Sequence, residues 1–189
     1  IGIEESATVV ATVGRMDATK GVDIMLRAVA GLTERFPTLN VVLAGDGVLE
    51  SKYRRLAADL GLDAHFYGFR YDVENFYRAA DVVVLLFPTL GGTSHALLEA
   101  MGCGAAVVTN RIYGRDSIPF EDQVIYADVD SRQSVQDAIS EILGDGERRR
   151  QLGERARDYV MRNHTWDNFL ETLESIVNEM TSLQCVRSV

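Results

Sequence analysis

The sequence has few of the residues that build disulfide or zinc scaffolds. Its 189 residues include two cysteines and three histidines. Cys103 and Cys185 have no metal-ligand spacing, which argues against a disulfide framework and against a structural zinc. Cys103 stands between two glycines, where we interpret it as a small buried thiol. We therefore predict no metal site, and Asp17, Asp128 and Asp130 do not have the spacing of a metal-binding set.

Positive charge and long apolar runs are also scarce. Nineteen Lys and Arg stand against 28 Asp and Glu, for a net charge of -9. Nucleic-acid binding requires a basic stripe, which this balance disfavours. A small anionic ligand stays possible, because it responds to local groups. The longest apolar stretch, residues 82–87, is far too short to cross a bilayer. We thus predict no nucleic-acid partner and no transmembrane segment.

What the chain does have is a regular alternation of strand and helix patterns. Apolar, β-branched runs predict six strands, at residues 8–13, 39–44, 65–68, 81–86, 105–109 and 124–126. Apolar spacings of three and four predict helices at residues 20–36, 49–60, 134–143, 147–163 and 166–183, with two more after Asp72 and before Gly102. Gly61 is expected to end the second helix, and Asp72 can cap the helix that follows it. Nearly continuous apolar strands that alternate with helices indicate a parallel sheet covered on both faces. We predict an α/β fold, a Rossmann-like three-layer domain with a mostly six-stranded parallel sheet, over residues 1–189.

Residues 87–104, FPTLGGTSHALLEAMGCG, form the most informative stretch. A buried strand precedes it, a small-residue loop follows, and the loop enters a helix that carries Glu99 four residues after His95. The first turn of a helix presents unpaired N–H groups and the positive end of the helix dipole. Ligands of parallel sheets bind beyond the carboxyl ends of the strands. The stretch therefore predicts an anion site.

The first loop is GRMDATKG, at residues 14–21. It indicates a phosphate-containing ligand other than a dinucleotide. It lacks both the G-x-G-x-x-G and the Walker patterns, which disfavours a dehydrogenase and an NTP-hydrolysing P-loop. Arg15 and Lys20 flank a turn at a predicted helix start. Cations there oppose the helix dipole, so we favour a ligand role. The alternative is a pair of ordinary surface cations.

Four motifs together resemble the nucleotide-binding domain of retaining glycosyltransferases of family 4. They are GRMDATKG, then AGDG at residues 44–47, HFYGF at 65–69 and GGTSHALLEAMGCG at 91–104, in order and at similar spacing. The resemblance implies one half of a GT-B fold, in which the active site lies between two Rossmann-like domains. It implies transfer of a hexose from a UDP- or GDP-sugar donor to an unknown acceptor. No cofactor and no metal are expected, since cationic side chains and helix dipoles stabilise charge in such enzymes.

The resemblance also assigns roles to individual residues. Arg15 and Lys20 would bind the donor diphosphate, and Glu99 the ribose hydroxyls, whose protons a carboxylate can accept. Backbone amides near His95 would hold the distal phosphate. The loops after the second and third strands would lie near the base, with a plain turn as the alternative for each. The full predicted set is Gly14, Arg15, Lys20, Gly45, Gly68, Phe69, Arg70, Gly91, Gly92, Thr93, Ser94, His95 and Glu99. Glu99 could instead be a solvated helix charge. His95 is a candidate catalytic residue, with helix capping or packing as the alternative.

One position departs from the family pattern. The family has a first glutamate eight residues before the one at Glu99, and Gly91 occupies that position. In the family this carboxylate faces the donor sugar. Its loss suggests an altered sugar contact, an atypical subfamily, or a non-catalytic or regulatory homologue. A different GT-B enzyme, such as a nucleotide-sugar epimerase or a phosphorylase, is a further alternative, although no motif marks the pyridoxal phosphate lysine of a phosphorylase.

The resemblance further implies a partner domain that this sequence does not encode. An N-terminal domain would bind the acceptor, which could be a glycan, a lipid or a small molecule. Residues 1–7 resemble the remnant of an interdomain linker, and the helix at 164–183 would pack toward the absent domain. We expect its wide apolar stripe to be partly exposed and to favour dimerisation. A cytoplasmic location is expected, and a peripheral association of the full enzyme with the cytoplasmic membrane face is left open.

Overall fold

Six parallel strands form one sheet. The computed structural model describes residues 2–89, 94–111 and 120–186, with side chains up to residue 181. The strands run in the order β3-β2-β1-β4-β5-β6, and every neighbouring pair is parallel. Their bounds are Thr8–Val13 (β1), Leu39–Ala44 (β2), Asp63–Phe66 (β3), Val82–Leu85 (β4), Val107–Thr109 (β5) and Ile125–Tyr126 (β6). This sheet confirms the predicted α/β, Rossmann-like class.

Seven α-helices connect and cover the strands in the described part of the chain. Their bounds are Val22–Ala30 (α1), Glu50–Asp59 (α2), Val73–Ala79 (α3), His95–Gly102 (α4), Arg132–Gly144 (α5), Gly146–Asn163 (α6) and Trp166–Val186 (α7). Side-chain caps mark two of the starts, because Ser131 accepts from the Ser134 amide and Asp145 from the Arg148 amide. Gly61, predicted to end the second helix, follows Leu60 with φ of 66°.

The prediction for the first helix was wrong in length. Apolar periodicity suggested residues 20–36, whereas α1 ends at Ala30 and turns follow up to residue 35. The Gly31 amide bonds back to the carbonyls of Ala28 and Val29, which closes the helix. A β-carbon at Gly31 would lie 2.3 Å from Oε1 of Gln136, so α5 packs closely against this turn. The helix thus ends through local bonds at Gly31, and the Gln136 side chain of α5 donates to the Gly31 carbonyl at 3.2 Å.

Two further predictions around the third strand were wrong. The strand covers Asp63–Phe66 instead of residues 65–68, because Gly68 has φ of 66° and leaves the sheet. Its carbonyl oxygen instead accepts from the Gly45 amide at 2.7 Å. Asp72 stands at the start of α3 but makes no side-chain cap bond there. Both of its carboxylate oxygens accept from the Arg70 guanidinium at 2.8 Å, which removes them from the helix end.

The apolar core lies on both faces of the sheet. One cluster joins α1 and α5 to the sheet and includes Leu26 and Ile139; the other joins α3 and α4 to the opposite face and includes Phe76 and Leu97. Side chains of β1 alternate between the clusters, as expected for a strand covered on both sides. Each such fully buried side chain contributes about 1.5–3 kcal/mol through the area removed from water.

The two clusters define where a ligand can bind. The helix that follows β1 packs on one face, and the helix that follows the neighbouring strand β4 packs on the other. The connections therefore diverge at the carboxyl ends of β1 and β4 and leave a crevice between them. Crevices of this kind are the usual ligand sites of open parallel sheets.

The last helix differs from the others because its apolar side chains are exposed. Between 45% and 77% of the surface of each is accessible, at Trp166, Phe169, Leu170, Leu173, Ile176, Val177 and Met180. The structure thus leaves exposed the stripe that we expected to be partly uncovered. None of the described helices is both long enough and apolar enough to cross a membrane.

Candidate functional site

Two glycine-bearing loops meet at the floor of the crevice. Gly14 follows β1 and Gly45 follows β2, with φ of 145° and 135°. A β-carbon at Gly45 would lie 2.0 Å from the Gly14 carbonyl oxygen, so only glycine permits this approach of the two backbones. The amide of Gly14 donates to the Ala44 carbonyl at 2.9 Å, and that of Met16 to the Asp46 carbonyl at 2.7 Å. The two loops therefore form one fixed unit.

Asp17 holds the turn that carries the two cations of the first loop. Its Oδ1 accepts from the amide and the hydroxyl of Thr19, at 2.9 and 2.5 Å, and its Oδ2 lies 3.2 Å from Nη2 of Arg15. The Thr19 hydroxyl bond, with the nearby cations, lowers the pKa of Asp17 although burial opposes the shift. From α2, the Tyr53 hydroxyl donates to the Asp17 carbonyl at 3.0 Å. Arg15 itself extends into solvent, with 74% of its side chain accessible.

Lys20 is the most unusual cation of the site. It is half-buried, and its Nζ lies 5.0 Å from the ring centroid of Phe87, just after β4. Within the described part of the chain it forms no ion pair. Burial lowers the pKa of Lys20, and the nearby Asp17 only partly opposes that shift. A partly desolvated ammonium without an ion pair among the described residues is an electrostatic setting that favours an anionic ligand.

Lys20 stands beside the exit of β4 because the start of α1 packs against it. A β-carbon at Gly21 would lie 2.8 Å from Cβ of Leu86. A narrow pocket at this junction is lined by the first loop and by residues 85–87 at the end of β4, and its lining includes Gly14, Arg15 and Lys20. The structure thus brings these three predicted residues together at the carboxyl ends of β1 and β4.

The first turn of α4 lies beyond the exit of β4. Ser94 precedes the helix, and its carbonyl accepts from the amides of Leu97 and Leu98, at 3.0 and 3.3 Å. Its side chain forms no cap bond, and among the described residues the amides of His95 and Ala96 have no backbone partner. The His95 side chain is exposed. The predicted residues Gly91, Gly92 and Thr93 lie outside the described residues.

Glu99 has a specific partner, which the sequence did not reveal. The hydroxyl of Tyr77 on α3 donates to Oε2 of Glu99 on α4 at 3.1 Å. Tyr77 is 1% exposed, whereas the Glu99 side chain reaches the surface. Burial, followed by the Glu99 carboxylate, raises the pKa of Tyr77, so the phenol stays protonated and donates. The available signal was a tyrosine at a core position of α3, because a buried hydroxyl needs a polar partner.

The residues predicted near the base lie together after β3. Gly68 joins Gly45 through the bridge described above, and Arg70 is fixed by Asp72. The Arg70 guanidinium carbon lies 5.7 Å from the ring centroid of Phe76. Phe69 is 60% exposed, and its ring packs edge-on against Tyr71, with centroids 4.9 Å apart. Tyr71 was absent from the predicted set, although it is the more exposed ring.

The fold defines a class, that of Rossmann-like α/β domains with the 3-2-1-4-5-6 strand order. The family model for glycosyl transferases group 1 matches residues 1–159. The chain belongs to this family. The predicted recognition is therefore confirmed, and so is the GT-B type of the fold.

Individual relatives agree with this assignment. A D-inositol 3-phosphate glycosyltransferase from Corynebacterium efficiens is 30% identical over 200 residues, which cover 98% of this chain and 46% of that protein. The chain thus spans about half the length of the curated relatives it matches. A TarM variant from S. aureus, solved with fondaparinux, α-GlcNAc-glycerol and UDP, superposes with a TM-score of 0.80 at 18% identity, over 94% of this chain and 38% of that one.

A third match has nearly the same extent as this chain. It is the crystal structure of the C-terminal domain of LpcC, a glycosyl transferase group 1 family protein from Francisella tularensis. The TM-score is 0.74 at 21% identity, and the match covers 84% of this chain and 87% of that one. A domain with this fold has therefore been crystallised without the remainder of its protein.

Proposed function

We propose that the chain is the donor-binding domain of a retaining glycosyltransferase. The complete enzyme would transfer a hexose from a UDP- or GDP-sugar to an acceptor that a second domain binds. The observation that carries this proposal is Lys20, a half-buried ammonium without an ion pair in the described chain, at the crevice between β1 and β4. Membership of the glycosyl transferases group 1 family supports it.

The diphosphate of the donor binds on the first-loop side of the crevice. Lys20 and Arg15 supply the positive charge, and Gly14 allows the phosphate to approach the backbone. The amides at Ser94 and His95 hold the distal phosphate at the positive end of α4. Negative charge grows on the diphosphate as the sugar leaves, and these fixed cations and amides stabilise it without a metal ion. Gly91, Gly92 and Thr93 would complete the phosphate contacts.

The nucleoside binds on the other side of the crevice. Glu99 accepts hydrogen bonds from the two ribose hydroxyls, which suits the acceptor-only chemistry of a carboxylate. The base lies near Gly45, Gly68, Phe69 and Arg70, where an exposed ring and a fixed guanidinium offer stacking surfaces. His95 stays a candidate catalytic residue because it begins α4 and its side chain is exposed.

The acceptor domain would cover the last helix. The exposed apolar stripe of α7, from Trp166 to Met180, is the surface that we assign to this contact. Sugar transfer requires a closed cleft that excludes water and aligns the acceptor with the donor. The isolated chain should therefore bind the donor nucleotide without transferring sugar. From the family resemblance alone we propose a cytoplasmic location, with the cytoplasmic membrane face as the alternative and a glycan, a lipid or a small molecule as acceptor.

A second candidate function is a non-catalytic homologue that binds nucleotide sugars. Gly91 motivates it, because the family's sugar-facing carboxylate is missing at that position. Such a protein would retain the phosphate and ribose contacts and lose turnover. In the complete protein, donor binding without any transfer or donor hydrolysis would favour this candidate over the first.

Titration calorimetry with UDP, GDP and ADP tests the proposed donor site. Lys20→Ala should weaken binding of the preferred diphosphate by about tenfold or more, since it removes a charge-assisted contact. Lys52→Ala is the matched control, because Lys52 is the only other lysine and is exposed on α2. Glu99→Ala should also weaken binding, with Glu171→Ala on α7 as its control. Failure of the unaltered chain to bind any of the three nucleotides would refute the proposed function.

A further inference from the structure

The contact between Tyr77 and Glu99 supports an inference that rests on the proposed function. Glu99 is assigned to the ribose, but nothing in that assignment explains how an exposed glutamate is held in place. We propose that Tyr77 is a positioning residue, whose buried hydroxyl fixes the Glu99 carboxylate for recognition of the ribose diol. The juxtaposition is the 3.1 Å hydrogen bond from α3 to α4, between residues 22 positions apart.

Tyr77 is a rigid support. Its ring lies in the apolar cluster that α3 and α4 form with one face of the sheet, together with Phe76, Leu97 and Met101. With 1% of its surface accessible, the ring cannot swing into solvent without opening that cluster. The hydroxyl at its tip therefore has a fixed position. Glu99 is the partner that the described structure gives this hydroxyl.

Glu99 gains from such a support because it is exposed. A free glutamate side chain samples many rotamers, and a ligand that needs one of them must offset the lost entropy. A bond formed before the ligand arrives removes part of that cost. The bond occupies one acceptor position of Oε2 and leaves the others, with all of Oε1, for the two ribose hydroxyls. The contact thus orients the carboxylate without using up its capacity.

The competing interpretation is that the bond only ties α3 to α4. The two interpretations predict different effects of removing the Tyr77 hydroxyl on the relative affinities for ribonucleotides and 2′-deoxynucleotides. A purely structural bond would affect all nucleotides equally, whether or not they carry a 2′-hydroxyl. A positioning bond would affect only nucleotides that present the diol to Glu99. The ratio of affinities for a ribonucleotide and its 2′-deoxy counterpart therefore separates them.

The test is titration calorimetry on the 189-residue chain with UDP, GDP, dUDP and dGDP. We expect Tyr77→Phe to weaken the preferred ribonucleotide about fivefold, as for one lost hydrogen bond, and the 2′-deoxy form less than about twofold. In a Glu99→Ala background the same substitution should change neither affinity. Tyr126→Phe is the matched control, since it removes a hydroxyl that accepts from the Phe120 amide, and it should leave the ratio unchanged.

Glu99→Asp provides a second variant that does not disturb the core. Its shorter side chain cannot meet Tyr77 in the same way, so the preference for the ribonucleotide should fall as it does in Tyr77→Phe. Full retention of that preference in either variant, or an equal loss of both affinities in Tyr77→Phe, would overturn the positioning role alone. An unaltered chain that binds none of the four nucleotides would overturn the proposed function and this inference with it.

Discussion

The two sides of the crevice are built in different ways. The phosphate side, residues 14–21, packs against Gly45 and Gly47 through backbone contacts too close for any side chain, and the Asp17 carboxylate adds bonds to Thr19 and Arg15 within the loop. The nucleoside side, residues 67–72 with Tyr77 and Glu99, is held by pairs of side chains, such as the phenol on the carboxylate and Arg70 on Asp72. Backbone contacts fix a position for any sequence that keeps the glycines, whereas side-chain pairs change with single substitutions.

This difference suggests that, in the proposed function, the two sides recognise different parts of the donor. UDP-, GDP- and ADP-sugars all carry a diphosphate, so a phosphate side that depends on backbone and charge serves all of them. Donors differ in base and sugar, and those parts would meet the nucleoside side and the residues around Gly91. Substitutions on the phosphate side should therefore have large and general effects, and those on the nucleoside side smaller and selective ones.

The largest effect is expected at Gly45, where the two loops touch. In Gly45→Ala the added β-carbon would meet the Gly14 carbonyl at 2.0 Å, and the backbone would keep φ of 135°. We expect the free energy of unfolding to fall by about 3 kcal/mol. Gly61→Ala is the control, because its φ of 66° is also positive but nothing lies within 4 Å of the added carbon. It should cost about 1 kcal/mol.

Urea unfolding followed by circular dichroism measures both glycine variants. Equal losses in Gly45→Ala and Gly61→Ala would mean that backbone strain, and not the contact between the loops, makes Gly45 necessary. The account of the phosphate side as one fixed unit would then be wrong.

Lys20→Met should raise the stability of the unliganded chain and lower its nucleotide affinity. Methionine keeps most of the apolar volume and removes a charge that burial disfavours, so the unliganded chain should unfold at a higher urea concentration. Nucleotide affinity should fall about tenfold or more. Lys52→Met, on the exposed face of α2, should change neither quantity. A less stable Lys20→Met chain would contradict the view that Lys20 is partly desolvated at a cost to folding.

The pH dependence of stability offers an independent check on Lys20. Its pKa in the folded chain is below the usual 10.5, so between the two values the unfolded chain binds more protons. Stability should therefore rise as the pH increases through that window. Lys20→Met lacks this contribution, so the difference in unfolding free energy between Lys20→Met and the unaltered chain should shrink over that window. A constant difference would indicate that the pKa of Lys20 is the same in both states.

The smallest effect is expected at Arg70. The Arg70–Asp72 pair is exposed, and exposed ion pairs contribute little to stability, so Arg70→Ala should leave the unfolding midpoint almost unchanged. If the guanidinium stacks on the base, the affinity for the preferred nucleoside diphosphate should fall about threefold. Arg78→Ala, on α3 and assigned no ligand contact, is the control. A tenfold or larger loss of nucleotide affinity in Arg70→Ala would contradict the expected difference between the phosphate side and the nucleoside side.

The sequence predicted the layers of this fold better than its contacts. Continuous apolar runs located the central strands β1, β2, β4 and β5, because a strand covered on both faces needs apolar side chains at every position. The partly exposed strand β3 lies two residues earlier than predicted. The end of α1 at Ala30 escaped prediction because the apolar spacing continues past Gly31 into turns, where Leu32 is also buried. The missing side-chain cap at Asp72 also escaped prediction, because the Arg70 guanidinium competes with the start of α3 for the same carboxylate oxygens.

In the candidate site, too, features within one loop were easier to predict than contacts between elements. The first-loop motif could predict Gly14, Arg15 and Lys20, because their roles depend on residue type and on adjacency within one loop. The partnership of Tyr77 with Glu99 could not be predicted, since it depends on how α3 and α4 pack together. The ligand roles of all these residues stay predictions until a nucleotide is observed.

A crystal structure of the 189-residue chain grown with UDP or GDP would be the decisive test of the proposed donor site. We expect the diphosphate between Lys20 and the first turn of α4, with both ribose hydroxyls on Glu99 and the Tyr77 bond intact. A nucleotide bound elsewhere on the chain, or a diphosphate without contact to Lys20, would contradict this expectation.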